Sequence, residues 1–251
     1  MSWQRTIKQE DIDVTINTEN GELISFCYKG QEYMHGGGKP DEAKDSVEKE
    51  GWSHSEIVMF PIVGPVPSYN VVLGESEFSM DQHGVARCQG WLVTKEGNCI
   101  LLEQRYNANS CVPNSKHEKD DRHPSSLQWP FSYVLQKRFS FQNDMLQVEF
   151  SLENKSSEPM PYMLGWHPAF RTNGSFQDGN VEIDGKNYSL QEVREKETLM
   201  VASDGGKPII YTNGDHRIEV TSDFGGLMVW TPTDNMFCIE PVTQIETEGI
   251  I

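Results

Sequence analysis

The sequence lacks long hydrophobic runs and any surplus of basic residues. It has no stretch of about 18 consecutive apolar residues, so no membrane-spanning helix is predicted. Its 21 Lys and Arg residues are outnumbered by 38 Asp and Glu residues, which gives a formal net charge of −17. Because nucleic acids and anionic membranes both attract surfaces rich in Lys and Arg, this charge argues against either partner. We therefore expect the partner to be a small, neutral molecule.

The sequence also lacks the cysteine patterns of a disulfide framework or a zinc knot. Its five cysteines are odd in number, and no two of them form a Cys-x-x-Cys pair, so we expect free thiols. The N-terminal segment has no apolar core of the kind that a signal peptide needs. Together these absences predict a cytoplasmic protein. The sequence does not distinguish a monomer from a homodimer.

Helix signals are scarce, and apolar residues instead alternate with polar ones. Ile12, Val14 and Ile16 follow this period of two, and residues 146–152 do the same. Such alternation is typical of strands with one buried face, and turn sequences rich in Asn, Asp and Gly separate the runs. Residues 190–201 alone have the composition of a helix. The whole chain is therefore predicted to form a single all-β domain of antiparallel strands, either a sandwich or a barrel.

Two strongly polar segments, residues 39–51 and 107–128, are predicted to be loops. The second contains His117 and His123, with two aspartates between them. This density of possible ligands resembles a metal site, but a solvated charged surface is the favoured interpretation for such a segment.

Three short stretches break the alternation by placing a polar residue in apolar company. They are residues 80–87 with His83, residues 163–170 with His167 and residues 236–241 with Glu240. A carboxylate near the end of a buried strand has a raised pKa, which suits a general base. A histidine titrates near neutral pH, as a proton donor must. This set of residues therefore predicts proton transfer on hydroxyl and ring oxygens.

Two other interpretations of these residues remain open at the level of the sequence. Any one of them alone is more often a hydrogen-bonded structural group than a catalytic one. Two histidines and a carboxylate are also the ligands of a facial iron triad, which would make the protein a metal-dependent oxygenase or isomerase.

These stretches occur in an order that resembles the aldose 1-epimerases. The sequence is similar to the galactose mutarotase-like family, especially to its bacterial branch of aldose-epimerase-like proteins, from about Ile12 onward. The resemblance is carried by six ordered stretches: EYMH (Glu32–His35), GWSHSEIVMFPIVGPV (Gly51–Val66), DQHGVAR (Asp81–Arg87), GWHPAF (Gly165–Phe170), VWTP (Val229–Pro232) and FCIEP (Phe237–Pro241).

The resemblance implies a β-supersandwich of antiparallel strands with a sugar site on its concave face. In this family the residue matching Glu240 takes the proton of the anomeric hydroxyl, and the one matching His167 protonates the ring oxygen. The histidine matching His83 binds and polarises that oxygen, and the arginine matching Arg87 orients the site. No metal and no organic cofactor is implied.

The sequence also departs from the family pattern. Gly64-Pro65 stands where relatives often have Gly-Arg, so one substrate-contacting arginine is missing. The family's further binding aspartate has no clear match, and Asp204 is the best positional candidate. Trp166 is a candidate to stack on the apolar face of a sugar ring, although core packing explains it equally well. The sequence ends at Glu248–Ile251, where relatives usually continue into a further strand.

The residues and the resemblance together predict an aldose 1-epimerase, or mutarotase, that interconverts the α and β anomers of a free aldohexose without a cofactor. The alternative is a catalytically inactive protein that binds or senses a sugar on the same fold. The missing arginine at Pro65 favours this alternative, while the charge of −17 favours a neutral sugar over a phosphorylated one in either case.

Overall fold

A computed structural model describes residues 3–46, 49, 51–202 and 205–245, and most of them lie in antiparallel strands or in the turns between them. The strands of the first half are β1 (Gln4–Gln9), β2 (Ile12–Asn17), β3 (Leu23–Tyr28), β4 (Gln31–Glu32), β5 (Glu56–Met59), β6 (Asn70–Leu73), β7 (Ser76–Ser79), β8 (Leu92–Glu96), β9 (Cys99–Tyr106), β10 (Val112–Pro113) and β11 (Ser126–Leu127).

The second half continues with longer strands and one short α-helix. They are β12 (Tyr133–Gln142), β13 (Met145–Asn154), β14 (Gly165–Arg171), β15 (Asn180–Ile183), β16 (Lys186–Ser189), the helix α1 (Leu190–Glu195), β17 (Thr198–Ala202), β18 (Ile209–Asn213), β19 (His216–Val220), β20 (Gly226–Thr233) and β21 (Met236–Val242). Four single-turn 3₁₀ helices lie at Asp41–Ala43, Pro67–Tyr69, Ala86–Cys88 and Phe176–Asp178.

The strands form a central five-stranded sheet with smaller sheets around it. The central order is β17-β20-β21-β14-β5, and three four-stranded sheets have the orders β1-β2-β3-β4, β13-β12-β9-β8 and β16-β15-β18-β19. Two two-stranded ribbons, β6-β7 and β10-β11, complete the set. The predicted all-β fold of antiparallel strands is therefore confirmed.

The main core covers one face of the central sheet. It combines the alternating apolar residues of β2, such as Val14 and Ile16, with Val229, Phe237 and Ile239 of the central strands. Because side chains along a strand alternate between faces, the other residues of β21, including Glu240, point to the opposite face of the sheet. One face thus stabilises the fold by apolar burial, and the other is left for the candidate site.

Residues 190–201, which have the composition of a helix, form a helix only in their first half. A capping box between Ser189 and Glu192 starts α1, because each side chain accepts a hydrogen bond from the backbone N–H of the other residue. The helix ends at Glu195, and the rest of the segment is β17, which pairs with β20 along its whole length. Sheet pairing therefore overrides the local helical composition.

No helix in the described part of the chain is long and apolar enough to cross a membrane.

A buried ion pair joins three of the sheets. The ammonium of Lys137 on β12 lies 2.6 and 2.7 Å from the two carboxylate oxygens of Glu56 on β5. It also donates to the carbonyl of Gly21, and Glu56 accepts from the backbone N–H of Leu23 on β3. Both charged side chains are at most 2% exposed. Each charge is thus matched by an opposite charge and by further hydrogen bonds, which a buried pair needs.

Candidate active site

Two of the predicted catalytic residues face each other on adjacent strands. His167 lies on β14 and Glu240 on β21, and the Nε2 atom of the histidine is 3.5 Å from Oε1 of the carboxyl group. The strand of Glu240 continues through Pro241 to Val242, so Glu240 lies within the strand and not at its end as the sequence suggested. Both side chains are almost completely buried, and the described residues give no hydrogen-bond partner to Nδ1 of His167 or to Oε2 of Glu240.

Burial shifts the pKa values of this pair in opposite directions. It raises the pKa of Glu240 to about 8, because the charged carboxylate is poorly solvated there. It lowers the pKa of His167 to about 3, with a further contribution from the neighbouring His54. Both shifts favour the neutral forms, with the acidic proton on Glu240 and an uncharged imidazole on His167. A carboxylic acid beside a neutral imidazole can both give and accept a proton at neutral pH.

His83 is the third predicted residue that the structure brings to this place. Its ring lies edge-on to the ring of His167, with the two centroids 5.4 Å apart. Its Nδ1 atom lies 2.7 Å from the carbonyl oxygen of Val63, which can only accept, so Nδ1 carries the proton. Burial, followed by repulsion from the protonated form of His167 and from Lys116, holds the pKa of His83 well below its usual range. Its Nε2 atom is therefore a hydrogen-bond acceptor at neutral pH and cannot polarise a sugar ring oxygen, which is the role that the resemblance implied for His83.

The backbone around His83 has a special conformation. His83 and Gly84 both have positive φ angles, of 69° and 67°. A Cβ atom on Gly84 would lie 2.2 Å from the carbonyl oxygen of Phe60. This oxygen already accepts a hydrogen bond from the backbone N–H of Ala86. Glycine at this position therefore allows the close backbone approach that holds His83 next to His167.

Gly84→Ala is expected to lower the free energy of unfolding by about 2 to 5 kcal/mol. The alanine would be strained by the left-handed backbone conformation, and its Cβ atom would clash with the carbonyl oxygen of Phe60. Gly74→Ala is the matched control, since Gly74 also has a positive φ of 63° but a Cβ atom at that position would meet nothing within 4 Å. We expect it to cost about 1 to 2 kcal/mol. Urea denaturation of both variants measures the difference, and equal losses would contradict the role given to the Phe60 contact.

A buried aspartate anchors the segment that carries His83. Asp81 accepts hydrogen bonds from the side chains of Asn114 (2.8 Å) and His123 (2.9 Å). Burial raises its pKa, but the Asn114 hydrogen bond and the nearby charges of Lys116 and Arg87 outweigh this, so the net pKa is lowered. The polar segment 107–128 is thus partly built into the protein rather than being only a solvated surface, as the sequence favoured.

Arg87 lies close to His83 but is tied to protein atoms. Its guanidinium donates to the carbonyl of Gln82 (3.0 Å) and to the side-chain oxygen of Asn114 (3.0 Å), and it lies 3.7 Å from Asp81. Its charge is one of several that disfavour protonation of His83. Arg87 thus ties the backbone next to His83 to the segment that carries Asn114.

Trp166 is not brought to the histidine pair. Trp166 and His167 are neighbours on β14 and point to opposite faces of the sheet. The indole of Trp166 packs against the main core and donates a hydrogen bond to Glu56 over 2.9 Å. Asp204, the other predicted binding residue, lies outside the described residues, as do the last residues of the sequence from 246 onward.

Three residues that the sequence did not single out lie at the site. The ring of Trp52 stacks on His167 with a centroid distance of 4.4 Å, and Trp230 approaches both rings edge-on. Cys238 lies two residues before Glu240 on the same face of β21, and it pairs with Trp230. Trp52 and Trp230 belong to the stretches that carry the family resemblance, so their position in those stretches was the available signal.

A small cavity lies at the edge strand β5. Its volume is about 90 Å³, and its lining includes Glu22, His54, Glu56, Trp91 and Lys137. Ligand pockets usually measure about 300 to 1,000 Å³, so this cavity is too small for a sugar. Of the predicted site residues, Arg87 lines this cavity, whereas His83, His167 and Glu240 do not.

The fold is that of the galactose mutarotase-like proteins. A galactose mutarotase related enzyme from Lactobacillus acidophilus superposes with a TM-score of 0.76 at 20% identity, over 95% of this chain and 85% of that one. A galactose mutarotase-like protein from Lactobacillus casei gives 0.75 at 21% identity, over 95% and 87%. One from Clostridium acetobutylicum gives 0.69 at 14% identity, over 98% and 87%. No curated protein matches the sequence.

The sequence itself matches the family model of the aldose 1-epimerases over residues 70–203, which is more than half of the chain. The protein therefore belongs to the aldose 1-epimerase family. The matched part includes His83 and His167, while Glu240 lies beyond it.

Proposed function

We propose that the protein is a cofactor-independent aldose 1-epimerase that interconverts the anomers of a free, neutral aldose, with Glu240 as the base and His167 as the acid. The observation that carries this proposal is the buried pair itself, with Nε2 and Oε1 3.5 Å apart and, on each side chain, one atom that has no partner among the residues the structure describes. Mutarotation needs one proton removed from O1 and one delivered to O5, which is what such a pair supplies.

The proposed reaction is a relay that leaves the pair with the same number of protons. Oε2 of Glu240 takes the proton of the anomeric hydroxyl as Oε1 passes its own proton to Nε2 of His167. Nδ1 of His167 gives a proton to the ring oxygen, the C1–O5 bond breaks, and an aldehyde forms at C1. Rotation about the C1–C2 bond and the reverse proton transfers then close the ring to the opposite anomer.

The remaining predicted residues have supporting roles in this proposal. Nε2 of His83 accepts a hydrogen bond from a sugar hydroxyl, since its proton is on Nδ1 and points at Val63. Arg87 positions His83 through its hydrogen bonds to the carbonyl of Gln82 and the side chain of Asn114. The ring of Trp52 covers His167, and Glu240 is 1% exposed, so a sugar must displace Trp52 to reach the pair. Trp52 and Trp230 replace Trp166 as the candidates for stacking on the sugar.

The surplus of acidic residues supports a neutral sugar as the substrate, and the five unpaired thiols support a location in the cytoplasm. A strongly negative protein favours a neutral aldose over a phosphorylated one. Unpaired cysteines suit the reducing environment of the cytoplasm.

The test is the rate at which freshly dissolved α-D-galactose or α-D-glucose reaches anomeric equilibrium, followed by polarimetry. We expect an acceleration proportional to protein concentration and saturable in sugar. Saturable binding of the sugar without any acceleration would overturn the proposal and would establish the inactive sugar-binding alternative, which the missing arginine at Pro65 favours.

The pH profile of kcat/KM is expected to have one limb in the alkaline range. The raised pKa of Glu240, about 8, means that the pair keeps its proton at lower pH and loses it above that value. Without this proton nothing can be delivered to the ring oxygen, so kcat/KM should fall about tenfold per pH unit above the transition. Initial rates between pH 5.5 and 10, corrected for the uncatalysed reaction, measure this. A rate that keeps rising through pH 9 would contradict it.

A further inference from the structure

We propose that His167, Cys238 and Glu240 together form a binding site for a single Zn²⁺ ion. The face of the central sheet opposite the main core brings all three side chains to one patch. Cys238 and Glu240 are two residues apart on β21 and therefore point the same way, and His167 lies beside them on β14. Their ligand atoms, one from each residue, all lie within 4.8 Å of one another.

The spacing is close to what a tetrahedral zinc site requires. Zinc–nitrogen and zinc–oxygen distances of about 2.0 to 2.2 Å, with zinc–sulfur at about 2.3 Å, place neighbouring ligand atoms roughly 3.3 to 3.7 Å apart. Nε2 of His167 and Oε1 of Glu240 are 3.5 Å apart already. The two distances that involve the sulfur of Cys238 are at most 4.8 Å, so a side-chain rotation that moves this sulfur by about 1 Å would bring them into the same range.

The chemistry of the three donors selects zinc over harder cations. A thiolate and an imidazole favour late divalent metals, while Mg²⁺ and Ca²⁺ prefer oxygen ligands throughout. All three side chains are buried, so a metal ion held by them would be shielded from competing water. Three protein donors leave a fourth position open for a water molecule or a sugar oxygen.

Cys238 has no part in the proposed proton relay, so its place beside the relay is unexplained by mutarotation. On binding, the thiol of Cys238 and the carboxyl of Glu240 release their protons to solvent, and zinc takes up the thiolate, the carboxylate and one nitrogen of the neutral imidazole. The occupied site removes both relay residues from catalysis. Zinc therefore inhibits the protein, and this consequence rests on the proposed function while the binding itself does not.

The direct test is titration of the metal-free, full-length protein with Zn²⁺ against a chromophoric chelator. We expect one tight site per chain, weakened at least tenfold in Cys238→Ser. Cys111→Ser is the matched control because Cys111 is exposed and lies elsewhere, so its affinity should match the parent. Co²⁺ in place of Zn²⁺ should give a thiolate-to-cobalt charge-transfer band in the parent and in Cys111→Ser, and no such band in Cys238→Ser.

Absence of a stoichiometric site in the parent, or equal affinity in Cys238→Ser, overturns the zinc site. Circular dichroism and thermal melting verify that Cys238→Ser is folded, and Cys238→Ala replaces it if it is not. Zinc binding by a parent without mutarotase activity would uphold this site and overturn the proposed function. Mutarotation without zinc binding would do the reverse.

Discussion

Replacing Glu240 by glutamine is expected to lower kcat for anomer interconversion roughly 10²- to 10⁴-fold, which is the usual contribution of a positioned acid or base. Glutamine has nearly the same shape as glutamate but cannot accept the proton of the anomeric hydroxyl. His167→Asn should have a loss of similar size, because the ring oxygen then lacks its proton donor. Polarimetry at sugar concentrations above and below KM separates the effect on kcat from that on binding.

The double variant Glu240→Gln/His167→Asn makes this prediction sharper. The two residues act on one proton relay, so losing both should cost little more than losing either one. Losses that multiply would indicate two independent steps. Arg87→Lys is the comparison outside the relay, and we expect it to raise KM and to change kcat much less, because Arg87 touches the backbone and side chains behind His83. Full activity in Glu240→Gln would contradict the proposed role.

Replacing Lys137 by methionine is expected to lower the free energy of unfolding by about 3 to 5 kcal/mol, which is the usual cost of leaving a buried charge without its partner. Glu56 loses two contacts of 2.6 and 2.7 Å at a position that is 0% exposed. Methionine fills a similar volume, so the loss reports the charge and not a cavity. Urea denaturation at neutral pH measures the change.

Two comparisons make this stability prediction specific. The double variant Lys137→Met/Glu56→Gln should be more stable than Lys137→Met alone, because glutamine carries no charge and its one amide oxygen still accepts from the N–H of either Leu23 or Trp166. Lys8→Met removes a pair of the same 2.6 Å length at the surface, where Lys8 is 67% exposed. It should cost under about 1 kcal/mol. Equal losses at Lys8 and Lys137 would contradict the importance of burial.

The strands were predictable from the sequence because each carries its own pattern. The alternation of Ile12, Val14 and Ile16 has its counterpart in β2, where all three residues are buried. The segment 190–201 has the composition of a helix, but α1 ends at Glu195 and the strand that follows pairs with β20. Residues 198–202 form a strand because they pair with β20, which begins only at Gly226. The composition of residues 190–201 carries no information about this distant partner.

The candidate site was predictable to the extent that it rests on motifs. His83, His167 and Glu240 were chosen for their chemistry and their order, and they do lie together. Trp166 was chosen by proximity to His167 in the sequence, but neighbours on a strand face opposite ways, and the residue that covers His167 is Trp52. The closeness of Cys238 depends on the pairing of β14 with β21, which no local pattern reveals.

The most direct test of the central proposal is a crystal structure of the Glu240→Gln variant with galactose bound. We expect the anomeric oxygen within about 3 Å of the side chain at position 240 and the ring oxygen at a similar distance from His167, with the Trp52 ring moved off the histidine. A sugar bound elsewhere, such as along the β5 edge near Glu56 and Lys137, would contradict the proposal that this pair opens the ring.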